Sequence, residues 1–160
     1  ITAAHVVTNA SNLTWENHDG TTSVINQAWF HSSWTGVAGT SYDIALVRLA
    51  TKPSTLVAAP RYTGSSESGL NAIMGGYGAS GTGLTGVNTT GIQPWRAGRN
   101  AIDIVNSTLN VLETDFDNPT GTSSSLPGSS TAANLELMSS AGDSGGPLWI
   151  LDGSTWKVAG

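Results

Sequence analysis

The 160-residue sequence contains no cysteine, so packing rather than disulfide bonds must hold its loops. Charged residues make up only 11% of the chain, and the 6 lysines and arginines form no cluster that could neutralise phosphates. A formal net charge of -5 further disfavours a nucleic-acid partner. No stretch approaches the roughly 20 apolar residues of a membrane-spanning helix, and no signal peptide is visible. We therefore expect neither a nucleic-acid-binding protein nor a membrane span.

Glycine is abundant, with 20 residues, and 38% of the chain is hydrophobic. Little charge combined with many Gly, Ser and Thr residues is typical of all-β domains with short strands and many turns. A chain of about 150 residues buries roughly 70% of its unfolded surface, which allows a sizeable core. Apolar patterning predicts strands over residues 24–30, 44–49, 70–77, 95–104, 109–116 and 147–151.

A serine flanked by glycines lies near the C-terminal end, in residues 141–149. Gly142 allows the backbone to bend where a Cβ would clash, and its N–H can then point at a substrate oxygen. Gly145 and Gly146 leave the approach to Ser144 clear. The pattern marks Ser144 as a candidate nucleophile, with an ordinary glycine-rich turn before a strand as the alternative.

A serine hydroxyl is a weak nucleophile that needs a base, usually histidine, and the histidine needs a carboxylate to hold its tautomer. Candidates for both lie upstream. Thr2-Ala3-Ala4-His5 places small residues directly before a histidine, and Asp43 stands at the head of an apolar strand. A plain turn residue at the strand start is the alternative for Asp43.

The order of these residues excludes one class of enzyme. Gly142-x-Ser144-x-Gly146 matches the nucleophile elbow of α/β-hydrolases, but that fold places its histidine after the serine. All three histidines precede Ser144. His18, beside an Asp-Gly turn, is predicted to face solvent, and His31 is predicted to be structural.

Together the three motifs resemble those of the trypsin-like, chymotrypsin-fold serine peptidases, which read T-A-A-H, D-I-A-L and G-D-S-G-G-P. All three occur intact and in that order, around His5, Asp43 and Ser144. The resemblance implies two antiparallel six-stranded Greek-key β-barrels. Residues 1–62 would carry His5 and Asp43 in the first barrel, and residues 63–160 would carry Ser144 in the second.

The resemblance also implies a function. The protein would be a secreted serine endopeptidase that cleaves protein or peptide substrates through an acyl-enzyme intermediate, with no cofactor and no metal. The backbone N–H groups of Gly142 and Ser144 would form the oxyanion hole. Met138 would occupy the base of the specificity pocket, where the absence of aspartate disfavours a preference for Lys or Arg. A neutral pocket for apolar or small side chains is therefore predicted. The oligomeric state is left open.

The sequence departs from the family pattern in two respects. Many animal members carry cysteines at the places of Val6 and Ser140, so the chain fits a bacterial-type member better. It also begins with Ile1 inside the histidine motif, and residues 156–160 resemble the strand that leads to the family's substrate-binding segment. The resemblance therefore implies a fragment truncated at both ends. The sequence does not indicate the partner of Asp143. In many family members the equivalent aspartate pairs with a new N-terminus made by proteolytic activation.

Asp115-Phe116-Asp117-Asn118 suggests a calcium loop, but an EF-type loop needs an oxygen ligand where Pro119 stands and a glutamate where Leu126 stands. We predict an ordinary acidic turn, with a looser calcium-binding loop as the alternative.

A second function from a different class is a non-catalytic binding or adhesion module that retains the peptidase fold. The intact set of histidine, aspartate and serine argues against it, because a chain freed from catalysis has no physical reason to keep all three.

Overall fold

The computed structural model describes residues 1–90, 93–121 and 124–160, and it is nearly all-β. These residues form one short helix and eleven strands: α1 (Ala4–Val7), β1 (Thr14–Glu16), β2 (Thr22–Phe30), β3 (Ala45–Leu49), β4 (Asn71–Gly76), β5 (Ser80–Thr82), β6 (Gly86–Asn88), β7 (Arg96–Ala101), β8 (Ile104–Asn106), β9 (Val111–Glu113), β10 (Trp149–Asp152) and β11 (Thr155–Val158). The predicted all-β class is confirmed. No helix in the described residues is long and apolar enough to cross a membrane.

The chain divides into two compact units, Ile1–Ala58 and Ala59–Gly160. The sequence placed the division after residue 62. In the structure Arg61 forms a bridge with Val158, and Tyr62 packs against the buried core of the second unit. These contacts place Arg61 and Tyr62 in the second unit.

The first unit contains a three-stranded antiparallel sheet in the order β1-β2-β3. Its buried core consists of Ala4 and Val7 on α1 and Ala45 on β3. Thr2 and Ala45 exchange backbone hydrogen bonds of 3.0 and 2.8 Å, which fasten the start of the chain to the start of β3. The small side chains at the start of the chain therefore allow α1 to lie close against the sheet.

The second unit contains a four-stranded antiparallel sheet in the order β11-β10-β4-β7, and two hairpins, β5-β6 and β8-β9. Ala72, Ile102 and Ile150 are fully buried and form its core. Ile150 lies on β10 opposite Ala72 on β4. This pairing anchors the strand that directly follows the glycine-flanked serine.

Candidate active site

His5 and Asp43, which are 38 positions apart in the sequence, meet in the first unit. The His5 backbone N–H donates to Asp43 Oδ1 at 2.9 Å, and His5 Nδ1 lies 2.6 Å from Asp43 Oδ2. The Gly39 N–H donates to the same Oδ2 at 2.8 Å. The Asp43 side chain is only 9% exposed. The carboxylate is thus fixed against the imidazole by three donors.

The hydrogen bonds decide the charge of Asp43. Burial raises the pKa of this carboxyl, but the backbone N–H groups of Gly39 and His5, together with the imidazole, outweigh burial and hold the pKa below its usual value of 3.8. An ionised carboxylate can only accept hydrogen bonds, so the short contact places the proton of a neutral imidazole on Nδ1. His5 Nε2 is then the acceptor nitrogen, as a general base requires.

The backbone around Asp43 is shaped by its neighbours. Tyr42 adopts a left-handed φ of 64°, which is uncommon for a residue other than glycine. Its ring stacks on His31, with ring centroids 4.5 Å apart. This contact supports a structural role for His31, which stays a prediction. His18 is exposed, as expected, and its ring contacts Asn17.

Ser144 lies in the second unit, exposed on the turn that precedes β10. Gly142 and Gly145 adopt positive φ values of 101° and 83°, which glycine tolerates without strain. A Cβ at Gly142 would also approach Gly78 Cα to 3.2 Å. Gly142 therefore has the backbone role that the sequence predicts, and Gly145 also adopts a conformation that favours glycine.

Asp143 has hydrogen-bond partners that the sequence did not indicate. Its Oδ1 accepts from the Gly78 N–H at 2.8 Å, and its Oδ2 accepts from the Ser140 N–H at 3.0 Å. A Cβ at Gly76 or Gly78 would collide with the Asp143 carboxylate. Asp143 therefore ties the serine turn to the segment that follows β4.

A cavity of about 920 Å³ adjoins the serine turn within the second unit. Its lining includes Leu137, Ser139, Ser140, Ser144, Gly145 and Leu148. Met138 is 46% exposed and is not among the described lining residues, whereas its two neighbours are. The role of Met138 at the base of a specificity pocket stays a prediction.

The structure corrects one expectation about the acidic segment. Asp115 and Asp117 do not form an ordinary surface turn, because both are buried. No group of three or more His, Cys, Asp or Glu side chains in the described part of the chain is arranged to hold a metal ion.

A histidine held by a carboxylate and a serine on a glycine-bounded turn are features of serine-type hydrolases, and one class of these enzymes has an all-β fold. A family model described as Trypsin matches residues 1–160. The chain therefore belongs to the trypsin family of serine peptidases, and its fold is chymotrypsin-like. A search of the curated proteins finds no match.

Proposed function

We propose that the protein is a secreted serine endopeptidase in which Ser144 is the nucleophile, His5 the general base and Asp43 the residue that orients His5. The observation that carries the proposal is the His5–Asp43 contact, in which Nδ1 and Oδ2 lie 2.6 Å apart. Membership of the trypsin family supports peptidase activity in general and protein substrates.

The chemistry follows from the roles of these groups. Ser144 Oγ attacks the peptide carbonyl carbon while His5 Nε2 takes the hydroxyl proton, and the carbonyl π electrons move to the oxygen. His5 then delivers the proton to the leaving amine, which releases it from the tetrahedral intermediate and leaves an acyl-enzyme. Water, activated by His5, hydrolyses the ester and restores Ser144. The ionised Asp43 stabilises the imidazolium in both halves of the cycle.

The oxyanion is assigned to the backbone N–H groups of Gly142 and Ser144. The positive φ of Gly142 supports this assignment, because it turns the chain sharply just before the nucleophile. Each such donor contributes roughly 3 to 4 kcal/mol to transition-state stabilisation. The mechanism involves no cofactor and no metal ion.

Labelling with a fluorophosphonate probe tests the proposal. The full-length protein is compared with its Ser144→Ala variant and with Ser154→Ala, which removes an exposed hydroxyl from the β10–β11 turn as a matched control. We expect the wild type and Ser154→Ala to be labelled and Ser144→Ala to remain unlabelled. Labelling that persists in Ser144→Ala would refute the assignment. A folded wild type that does not react would instead favour a zymogen or a non-catalytic binding or adhesion module.

A further inference from the structure

The second unit holds a carboxylate network of four acidic residues, Asp103, Asp115, Asp117 and Glu136, in which hydrogen bonds join Asp103 to Asp115 and Glu136 to Asp117. The Asp115 N–H donates to Asp103 Oδ2 at 3.2 Å, and the Asp117 N–H donates to Glu136 Oε2 at 3.1 Å. The three aspartates are buried, with Asp115 4% exposed and Asp117 2% exposed. So many acidic groups in a dry region are costly unless something compensates their charge.

No basic side chain compensates them among the described residues. The described residues form two ion pairs, His5–Asp43 and Lys157–Asp152, and neither pair includes a residue of the carboxylate network.

Three buried oxygens of this region also have no hydrogen-bond partner among the described residues: Asn100 Oδ1, Asp115 Oδ1 and Asp117 Oδ1. Asn100 is 1% exposed, and its Nδ2 donates to the Asp115 carbonyl at 2.6 Å and to the Leu137 carbonyl at 3.2 Å. These two bonds fix which end of the amide is nitrogen, so Oδ1 is the end without a donor.

Asp115 shows the same one-sided pattern. Its Oδ2 accepts hydrogen bonds from the Ser124 hydroxyl at 3.0 Å, from the Leu126 N–H at 2.7 Å and from both the N–H and the hydroxyl of Ser125. Its Oδ1 accepts none. The donors hold the carboxylate so that one oxygen is saturated and the other is left available.

A cation accounts for these observations better than a proton or a water molecule does. A proton on Asp117 supplies one donor, which leaves at least one of the other two oxygens unpaired. A water molecule supplies donors but does not compensate the negative charge. A bound cation does both, since it can accept several oxygen ligands at once.

We propose that Asn100 Oδ1, Asp115 Oδ1 and Asp117 Oδ1 bind one calcium ion. All three ligands are oxygens, which a hard cation prefers. Calcium fits better than magnesium because it accepts irregular sets of protein oxygens, whereas magnesium demands near-octahedral geometry and retains waters. The two carboxylates and the amide supply only part of the oxygen ligands that calcium takes, so backbone carbonyls or waters must complete its coordination.

The site would also brace the approach to the serine turn. The Leu137 carbonyl accepts a hydrogen bond from the Asn100 amide. The Leu137 N–H donates to the carbonyl of Arg99 on β7 at 2.9 Å, and the Arg99 N–H donates to the Leu135 carbonyl at 3.0 Å. The residues that follow, Ser139 and Ser140, line the cavity, and the Ser140 N–H holds Asp143. A cation on Asn100 and Asp115 would thus rigidify one wall of the cavity.

Calcium titration of the metal-free protein tests the proposal. The full-length protein carries Ser144→Ala, so that peptidase activity cannot contribute, and is treated with EDTA and desalted. Calorimetric titration with CaCl2 and thermal unfolding in CaCl2 or MgCl2 are then compared for this protein, for Asp117→Asn and for Asp152→Asn. The last variant removes an exposed carboxylate from the same unit.

We expect one calcium ion per chain and a Tm that rises with CaCl2 concentration more than with MgCl2. Asp117→Asn should weaken calcium binding at least about tenfold, while Asp152→Asn should bind as the parent does. A parent protein that shows neither a binding heat nor a Tm shift with CaCl2 overturns the proposal without reference to any variant. If Asp117→Asn is then also more stable, the cluster holds a proton instead. An unchanged calcium response in Asp117→Asn would equally exclude the site.

Discussion

At the scale of single residues, Asp43 receives two backbone N–H groups in addition to the His5 imidazole. The motif around Asp43 could be recognised in the sequence because the chemistry needs particular side chains there. Gly39, which supplies one of the donors, could not. Its contribution is a backbone N–H, and the sequence shows only a glycine-rich loop.

Replacing Asp43 with asparagine should reduce turnover strongly while leaving the fold intact. An amide can donate to Nδ1, so the imidazole proton moves to Nε2 and His5 no longer serves as a base. By analogy with the same substitution in an established triad, kcat should fall about 10⁴-fold. Peptide hydrolysis at neutral pH measures this effect, with Asp152→Asn as the control. A kcat within tenfold of the wild type would contradict the role of Asp43.

The pH dependence of stability should differ in sign between Asp43 and Asp117. The lowered pKa of Asp43 means that its contribution to the free energy of unfolding is present above 3.8 and is lost as pH falls through the folded-state pKa. The raised pKa of Asp117 has the opposite effect. Its contribution is present below 3.8 and is lost as pH rises through the folded-state pKa.

In EDTA, the Asp117→Asn variant should therefore gain stability relative to the wild type as pH rises above 3.8. The Asp43→Asn variant should instead lose stability relative to the wild type as pH rises from below the folded-state pKa of Asp43 towards 3.8. Urea unfolding of the Ser144→Ala protein and of both double variants across pH 3 to 7 gives the two differences. If the two differences ran in the same direction with pH, the electrostatic account of Asp117 or of Asp43 would be wrong.

At the scale of elements, the sequence located strands better than it located their ends. The expected strand 70–77 is β4, and the strand expected after Ser144 is β10. The expected strand 95–104 instead breaks after Ala101, where Ile102 enters the core. The strand expected over residues 109–116 is reduced to β9, which begins only after Asn110 with its left-handed φ of 54° and ends at Glu113. Such breaks depend on tertiary contacts that apolar patterning does not reveal.

The serine turn depends on an element that lies far from it in sequence. Gly78→Ala places a Cβ where the Asp143 carboxylate lies, so the carboxylate and the turn must move. Overpacking of this kind costs about 1 to 3 kcal/mol of stability. The rate of fluorophosphonate labelling should fall about 100-fold, because small displacements of a nucleophile are costly.

Gly83→Ala is the matched control for this substitution. A Cβ at Gly83 would meet Phe116 only at ordinary contact distances of 3.8 and 3.9 Å. Its labelling rate and Tm should equal those of the wild type. A Gly78→Ala protein that is labelled at the wild-type rate would show that Asp143 does not position the serine turn.

At the scale of the whole molecule, two small apolar cores hold the chain without a disulfide bond. The family and the all-β class could be predicted because three motifs and the composition carry them. The buried carboxylate network could not be predicted. In the sequence, Asp115 and Asp117 look like part of an acidic turn, and their burial depends on distant residues such as Asn100 and Glu136.

The most direct measurement of the central claim is the hydrolysis of an unlabelled protein substrate by the full-length protein and by its Ser144→Ala variant, with both folded to the same extent. The account predicts cleavage by the wild type and a loss of about a millionfold in kcat for the variant, the scale found when a triad serine is removed. Cleavage by Ser144→Ala at a rate close to that of the wild type would contradict the assignment of Ser144 as the nucleophile.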